Sequence, residues 1–343
     1  MLAVAIAMLV LACVGAEASA QPAAPAREYG YSVKRPIIGG ACPTCPWGAI
    51  ATIVRNVMAP AGWQVQQCYT CSMVDSVRIV AQARRPPPPR SERRLPPSPD
   101  GPVDFGVTSV TVLESGYNGR PPYNVDGPFR NLRAIARIEH PHYLMVAARR
   151  ETFITDLAQI RQRRMPVRIL TDGREPAISV LNHYSLEENE LRTWGGSLVE
   201  PESRDAFDVI IFRGYLGNSP ESNIIYEVTQ KFDLRFFALP EPLIVRLLRD
   251  FPEHERAELP IGYVRGVDSA LPTVARSGQI IYGRADMPDD FAYALTRALD
   301  ENRRAFQWSH LQFHYDPGTV WRTHGVPLHP AAERYYRERG YMR

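Results

Sequence analysis

The chain has 343 residues, of which 45% are hydrophobic, 10% aromatic and 22% charged, proportions that exclude a disordered chain and a multi-span membrane protein. Its net charge of +3 sits between Arg84 and Asp100, where five arginines face only Glu92 and Asp100. The remainder is neutral, so no basic face is available to track a phosphate backbone and nucleic-acid binding is not expected.

Residues 1–20 read as a targeting segment. Met1 to Ala12 is almost wholly apolar and is followed by Ala18-Ser19-Ala20, a small-x-small pattern that places a signal-peptide cut after Ala20 and the protein in the periplasm. Val10-Leu11-Ala12-Cys13 allows a second processing, in which Cys13 carries lipid. The apolar run is shorter than the roughly 20 residues a spanning helix needs.

Four further cysteines form two CxxC pairs, Cys42-Pro43-Thr44-Cys45 and Cys68-Tyr69-Thr70-Cys71. In an exported chain this pattern favours two structural disulfides. A four-thiolate zinc site and a redox-active pair are the alternatives.

In chain order, Ser32 to Gly40 reads as a buried strand running into a Gly-Gly turn. Trp47 to Met58 has helical spacing at Ile50, Ile53, Val54 and Met58. The pattern then repeats, with a strand from Trp63 to Gln67, a Cys-Tyr-Thr-Cys loop, and a helix carrying Val74, Val77 and Val80 that Ser72 would cap. Residues 84–100 are proline- and arginine-rich and read as a surface excursion. Val103 to Val107 is a third strand, ending at Thr108-Ser109. Strand–helix alternation predicts a parallel sheet. Both CxxC pairs and Thr108-Ser109 then fall at carboxyl ends of strands, where ligands of such sheets bind.

Beyond Asn131, strands are expected at Ala134–Ile138, Tyr143–Ala147, Val167–Leu170, Phe207–Phe212 and Leu234–Leu239, and helices at Ala177–Tyr184, Pro242–Phe251, Asp289–Asn302 and His329–Arg339. Thr155-Asp156-Leu157 opens a short connecting helix, and Asp172-Gly173-Arg174-Glu175 is a turn. The expected division is a first lobe over 30–148, a second over 149–238, and a return to the first over 239–343. His310 and His314 have i, i+4 spacing, without a setting that suggests a metal centre. No nucleophile elbow, Walker loop or HExxH motif occurs, and no enzymatic activity or cofactor is expected.

The Gly39-Gly40 loop before Pro46-Trp47-Gly48, Arg133-Ala-Ile-Ala, Thr155-Asp156-Leu157 and the closing run Val326-Pro-Leu-His-Pro-Ala-Ala-Glu-Arg-Tyr-Tyr336 together resemble the TAXI-type solute-binding proteins of TRAP transporters, over nearly the whole mature chain. The family commonly has Gly where Ala331 stands, and Tyr or small polar residues where this chain has Cys42 and Cys45. The resemblance implies an α/β type II periplasmic-binding-protein fold, two lobes joined by a hinge. It implies capture of a small carboxylate or amino acid between the lobes, and delivery to TRAP permease subunits in the membrane.

Loops after strands and helix starts offer N–H groups and a positive dipole end to such an anion. On that ground the candidate contacts are Gly40, Thr44, Tyr69, Ser72, Thr108 and Ser109 in the first lobe, and Gly173, Arg174, Arg213 and Asn218 in the second. An exported zinc or thiol–disulfide protein using Cys42, Cys45, Cys68 and Cys71 is the competing class.

Overall fold

Apolar residues alternating along the strands of a sheet point to opposite faces, so a strand apolar throughout must be covered on both sides. β1 (Ile37–Gly39) shows this directly. Ile38 joins one buried cluster and Ile37 another. In the computed structural model, which describes residues 30–42, 45–71, 73–88, 95–201, 205–214, 220–251, 254–276, 278–307 and 313–342, β1 lies in a three-layer lobe. The leader expected over 1–20, with Ala20 and Cys13, lies outside these residues.

The chain continues through α1 (Pro46–Met58), β2 (Gln66–Gln67), α2 (Met73–Ala81), β3 (Phe105–Ser109), α3 (Val110–Asn118), β4 (Leu132–Ile138), β5 (His142–Arg149), α4 (Ala158–Arg163), β6 (Arg168–Thr171), α5 (Ala177–Tyr184), α6 (Glu188–Thr193) and β7 (Ser197–Val199). It goes on through β8 (Val209–Gly214), α7 (Pro220–Lys231), β9 (Leu234–Phe236), α8 (Glu241–Asp250), β10 (His254–Leu259), β11 (Leu271–Arg276), β12 (Gln279–Arg284), α9 (Asp289–Glu301), α10 (Arg304–Gln307) and α11 (Pro330–Glu338).

The first sheet has the order β2-β1-β3-β12-β4. One face packs on α1, α9 and α11 through Ile50, Val54, Phe291, Leu295 and Tyr336; the other packs on α2 and α3 through Val77, Val80 and Leu113. The second sheet has the order β10-β11-β5-β8-β6-β7, with β9 also on β5. Leu144 and Val146 of β5 face α5 and α8, while Tyr143 and Met145 face the side of α7.

Two expectations change. The sheets are mixed: β1 pairs parallel with β2 and β3, but β12 runs antiparallel to β3 and β4, and β5 antiparallel to β8, β9 and β11. The lobe boundaries also move. β5 belongs to the second sheet, as do β10 and β11, so the chain passes from one lobe to the other between β4 and β5 and back between β11 and β12. Lobe II is the single stretch 142–276, and lobe I is built from both flanking parts. The boundary was misplaced because only three residues part β4 from β5, and because β10, HERAEL, carries more charge than apolar area.

The closing run Val326–Tyr336 has a packing role. Leu328 bridges Ala134 of β4. The His329 side chain caps α11 by accepting from the Ala331 N–H at 3.3 Å. Tyr336 Oη donates to the Ile135 carbonyl at 2.9 Å, and Tyr335 Oη donates to the buried Asp300 at 2.8 Å.

Asp104 lies just before β3, and its carboxylate accepts from the Ile37 N–H at 2.8 Å. Burial raises its pKa to about 6, against the opposing effects of that hydrogen bond and of Arg284. The folded chain therefore holds this proton more tightly than the unfolded chain. The resulting stabilisation is present below about pH 4 and is lost as pH rises through about 6. Asp104→Asn keeps an acceptor for Ile37 and should raise stability at pH 7.5 by about 2–3 kcal/mol while changing little at pH 4. Urea titrations at the two pH values check this; an equal effect at both would contradict it.

Candidate functional site

At the carboxyl edge of lobe I, Gly40 follows β1 with φ +87°. A β-carbon there would stand 2.0 Å from the Val107 carbonyl oxygen. Only glycine permits this close approach of the loop to β3. The Gly40 N–H donates to the Cys71 carbonyl at 3.0 Å, which ties the two CxxC loops side by side. Each pair closes on itself: Cys42 bonds to Cys45 and Cys68 to Cys71. Cys45 is the N-cap residue of α1 and Pro46 its first helical residue, which suits a position with no N–H to satisfy.

Thr44, Ser72 and Asn218 lie outside the described residues. Tyr69 is half-buried against the α1 side of the core, and its hydroxyl donates to Gln67 Oε1. Thr108 is fully buried within β3, so it belongs to the interior of the sheet and not to its rim. Ser109 caps α3, its Oγ accepting from the Val112 N–H at 3.4 Å and sharing a hydrogen bond with Thr111 Oγ1 at 3.2 Å. The neck of the 84–100 excursion is held by Arg85 and Asp100 at 3.3 Å, and Ser98 shares a 3.1 Å hydrogen bond with Thr70 of the second CxxC loop.

In lobe II, β6 ends at Thr171 and turns at Asp172. Asp172 Oδ1 accepts from the Arg174 N–H at 3.1 Å and Oδ2 accepts from Arg213 Nη2 at 3.0 Å. The Gly173 N–H donates to Thr171 Oγ1 at 3.3 Å, and the Arg174 side chain is exposed. Arg213 and Asp172 are mostly shielded from water, at 23% and 15% side-chain exposure. Arg213 Nε is buried with no hydrogen-bond partner among the described residues.

The strand registers bring more charge to the same face. Leu144 lies opposite Arg213, and His142 lies opposite Arg276, so His142, Arg213 and Arg276 project together from the face that also carries Leu144 and Val146. Arg276 Nη2 reaches across to lobe I and donates to Thr111 Oγ1 at 3.0 Å. Nearby, Trp47 Nε1 donates to Gln279 Oε1 at 2.6 Å, and Gln279 pairs with Ser109 in register. Burial, then His140 and the Arg276 and Arg213 guanidiniums, hold His142 well below the usual histidine range. Burial alone takes His140 to about 3. This face of lobe II therefore carries the His142 imidazole, held neutral, and two guanidiniums against the single Asp172 carboxylate, a field that attracts an anion.

Arg276, Thr111, Trp47 and Gln279 were not among the expected contacts. The signal for Arg276 was available, since Thr273-Val274-Ala275-Arg276 before Ser277-Gly278 has the composition of a strand and its turn. His310 lies outside the described residues, and His314 bridges Glu139 through its backbone. Among the described residues no group of His, Cys, Asp or Glu is arranged to hold a metal ion, and no helix is long and apolar enough to cross a membrane.

Two α/β lobes of mixed sheet joined by a double crossover, with polar strand ends facing each other across it, make up the α/β periplasmic-binding-protein fold. The chain belongs to the NMT1-like family, whose pattern matches residues 98–340. Among solved structures it is similar to a TctC solute binding protein from Polaromonas, at 9% identity over 90% of this chain and 99% of that one with a TM-score of 0.44. It is also similar to an R. palustris protein solved with adipate, at 11% identity over 89% and 93% of the two chains with a TM-score of 0.40. MatC from Rhodopseudomonas palustris, solved with bound malate, matches at 11% identity over 89% and 96%, with a TM-score of 0.38.

Proposed function

We propose that the protein is the extracytoplasmic solute-binding subunit of a TRAP-type secondary transporter, of the TAXI kind. It captures a small carboxylate or amino acid between its lobes and delivers it to the membrane permease. The observation that carries this reading is the pair of guanidiniums, Arg213 and Arg276, on one face of lobe II at the edge where Arg276 already touches lobe I. An anion placed there meets both lobes, which is the condition for a ligand to favour the closed state. Micromolar affinity requires about 8 kcal/mol. Charge-assisted hydrogen bonds from the two guanidiniums at about 1.5–3 kcal/mol each, at the positive end of the α3 dipole, are of the right size after closure is offset. The leader read over 1–20 supports a periplasmic location.

Of the competing class, an exported zinc or thiol–disulfide protein, a four-thiolate zinc centre would need all four sulfurs free, whereas the two disulfides engage them; the thiol–disulfide form would use those same pairs. A thermal-shift screen tests the solute class. A carboxylate at about a hundred times its Kd adds about 2.7 kcal/mol and should raise the midpoint by roughly 4 °C, while neutral sugars leave it in place. If no carboxylate or amino acid moves the midpoint, the proposed solute class is wrong.

A further inference from the structure

Besides the Thr111–Arg276 contact, a second tie joins the lobes, built from groups that the solute site does not use. Arg137 of β4, in lobe I, is 3% exposed. Its Nη2 donates to Glu139 Oε2 at 3.0 Å and to Glu255 Oε1 of β10, in lobe II, at 2.7 Å. Its Nη1 donates to His324 Nε2 at 2.8 Å. Thr319 Oγ1 donates to Glu139 Oε1 at 2.6 Å, so the Arg137 end is fixed from several sides. Glu255 is 39% exposed, which makes it the member free to leave. A cavity of about 530 Å³ with walls from both lobes lies against this tie.

The strand registers place the two ties on opposite faces of the lobe II sheet. Glu255 lies opposite Ala275 and Ala275 opposite Tyr143, whereas Arg276 lies opposite both His254 and His142, one residue out of phase. Successive residues of a strand point to opposite faces. Glu255 therefore shares the face of Tyr143, and Arg276 shares the face of Arg213. The crossovers between β4 and β5 and between β11 and β12 leave the strands that carry them. A rotation about these crossovers that draws the lobes together on the Arg276 face must part them on the Glu255 face.

We infer that Arg137–Glu255 is a latch on the reverse side of the hinge, opposing closure of the lobes over the solute, and that Thr111–Arg276 is its counterweight on the solute side. The inference rests on the solute-binding reading for its purpose, though the balance of the two ties is a property of the solute-free protein. The latch sets how much of the free protein is already closed, and hence how tightly any solute is bound, without touching the solute.

The test measures interlobe distance in the full chain without solute. Nitroxides are carried on ketone-bearing residues introduced at the exposed positions Arg120, following α3, and Asn182 in α5, on the sides joined by Thr111 and Arg276. Glu255→Gln should move the distance distribution to shorter values, Glu255→Lys further still because it sets a cation against Arg137, and Thr111→Val to longer values. Glu258→Gln, on the same strand, should leave the distribution in place. An unchanged distribution in both Glu255 variants, or shifts of the same sign in the Glu255 and Thr111 variants, overturns the latch. Failure of the solute class is read separately, from the thermal-shift screen.

Discussion

Arg213→Met should weaken carboxylate binding by roughly 30- to 150-fold, equivalent to about 2–3 kcal/mol. The substitution keeps much of the side-chain volume and removes the charge. It also leaves Asp172, mostly shielded from water, with its negative charge uncompensated beside the incoming anion. Binding therefore loses a hydrogen bond and meets a repulsion. The companion variant Arg213→Met with Asp172→Asn separates the two effects. It should recover the repulsive part of the loss but not the part that depends on a guanidinium. Isothermal titration with a carboxylate found in the screen measures both. An Arg213→Met protein that binds as tightly as the parent would remove Arg213 from the site.

Gly40→Ala should cost about 3–5 kcal/mol of stability, at the severe end for a single substitution. The penalty has two parts. An alanine at φ +87° pays about 1–2 kcal/mol for the left-handed backbone, and its β-carbon, 2.0 Å from the Val107 oxygen, forces the loop off β3. Gly325 is the comparison, with φ +85° and nothing within 4 Å of a β-carbon, so Gly325→Ala should cost only about the backbone part. By calorimetry the Gly40 variant should melt roughly 4–7 °C lower and the Gly325 variant roughly 1.5–3 °C lower. Equal losses would mean that the close approach to Val107 has no energetic weight.

The parts of this fold legible in the sequence are those in which one local signal suffices. The helix over Pro46–Met58, with apolar residues at helical spacing, and the strand over 209–212, with an unbroken apolar run, form as expected. β10 and β12 were missed for different reasons. In β10 the residues facing water alternate with modest inward ones in HERAEL, so burial comes from pairing with β11 and not from its own composition. In β12, QIIYGR, the run is short and sits just after a glycine. Its antiparallel place between β3 and β4 depends on contacts far apart in the chain, which no local pattern encodes. The same limit applies in part to the site. Arg213 stood out at the end of an apolar strand, and Arg276 ends a run of strand composition, but that the two share one face follows only from the register that sets Arg276 opposite His142 and Arg213 opposite Leu144. Ser109 was recognisable as a helix start, and the structure uses it as one.

The discontinuity of lobe I has a consequence for how the chain matures. Lobe II is built from the one continuous stretch 142–276. Lobe I waits for β12, α9 and α11 at the far end of the message to meet β1, β3 and β4 near its beginning. Contacts of such long reach form slowly, so lobe II can close from its own stretch while lobe I is still unfinished. Lesions in α11, which packs on α9 and β4, will act by leaving lobe I open.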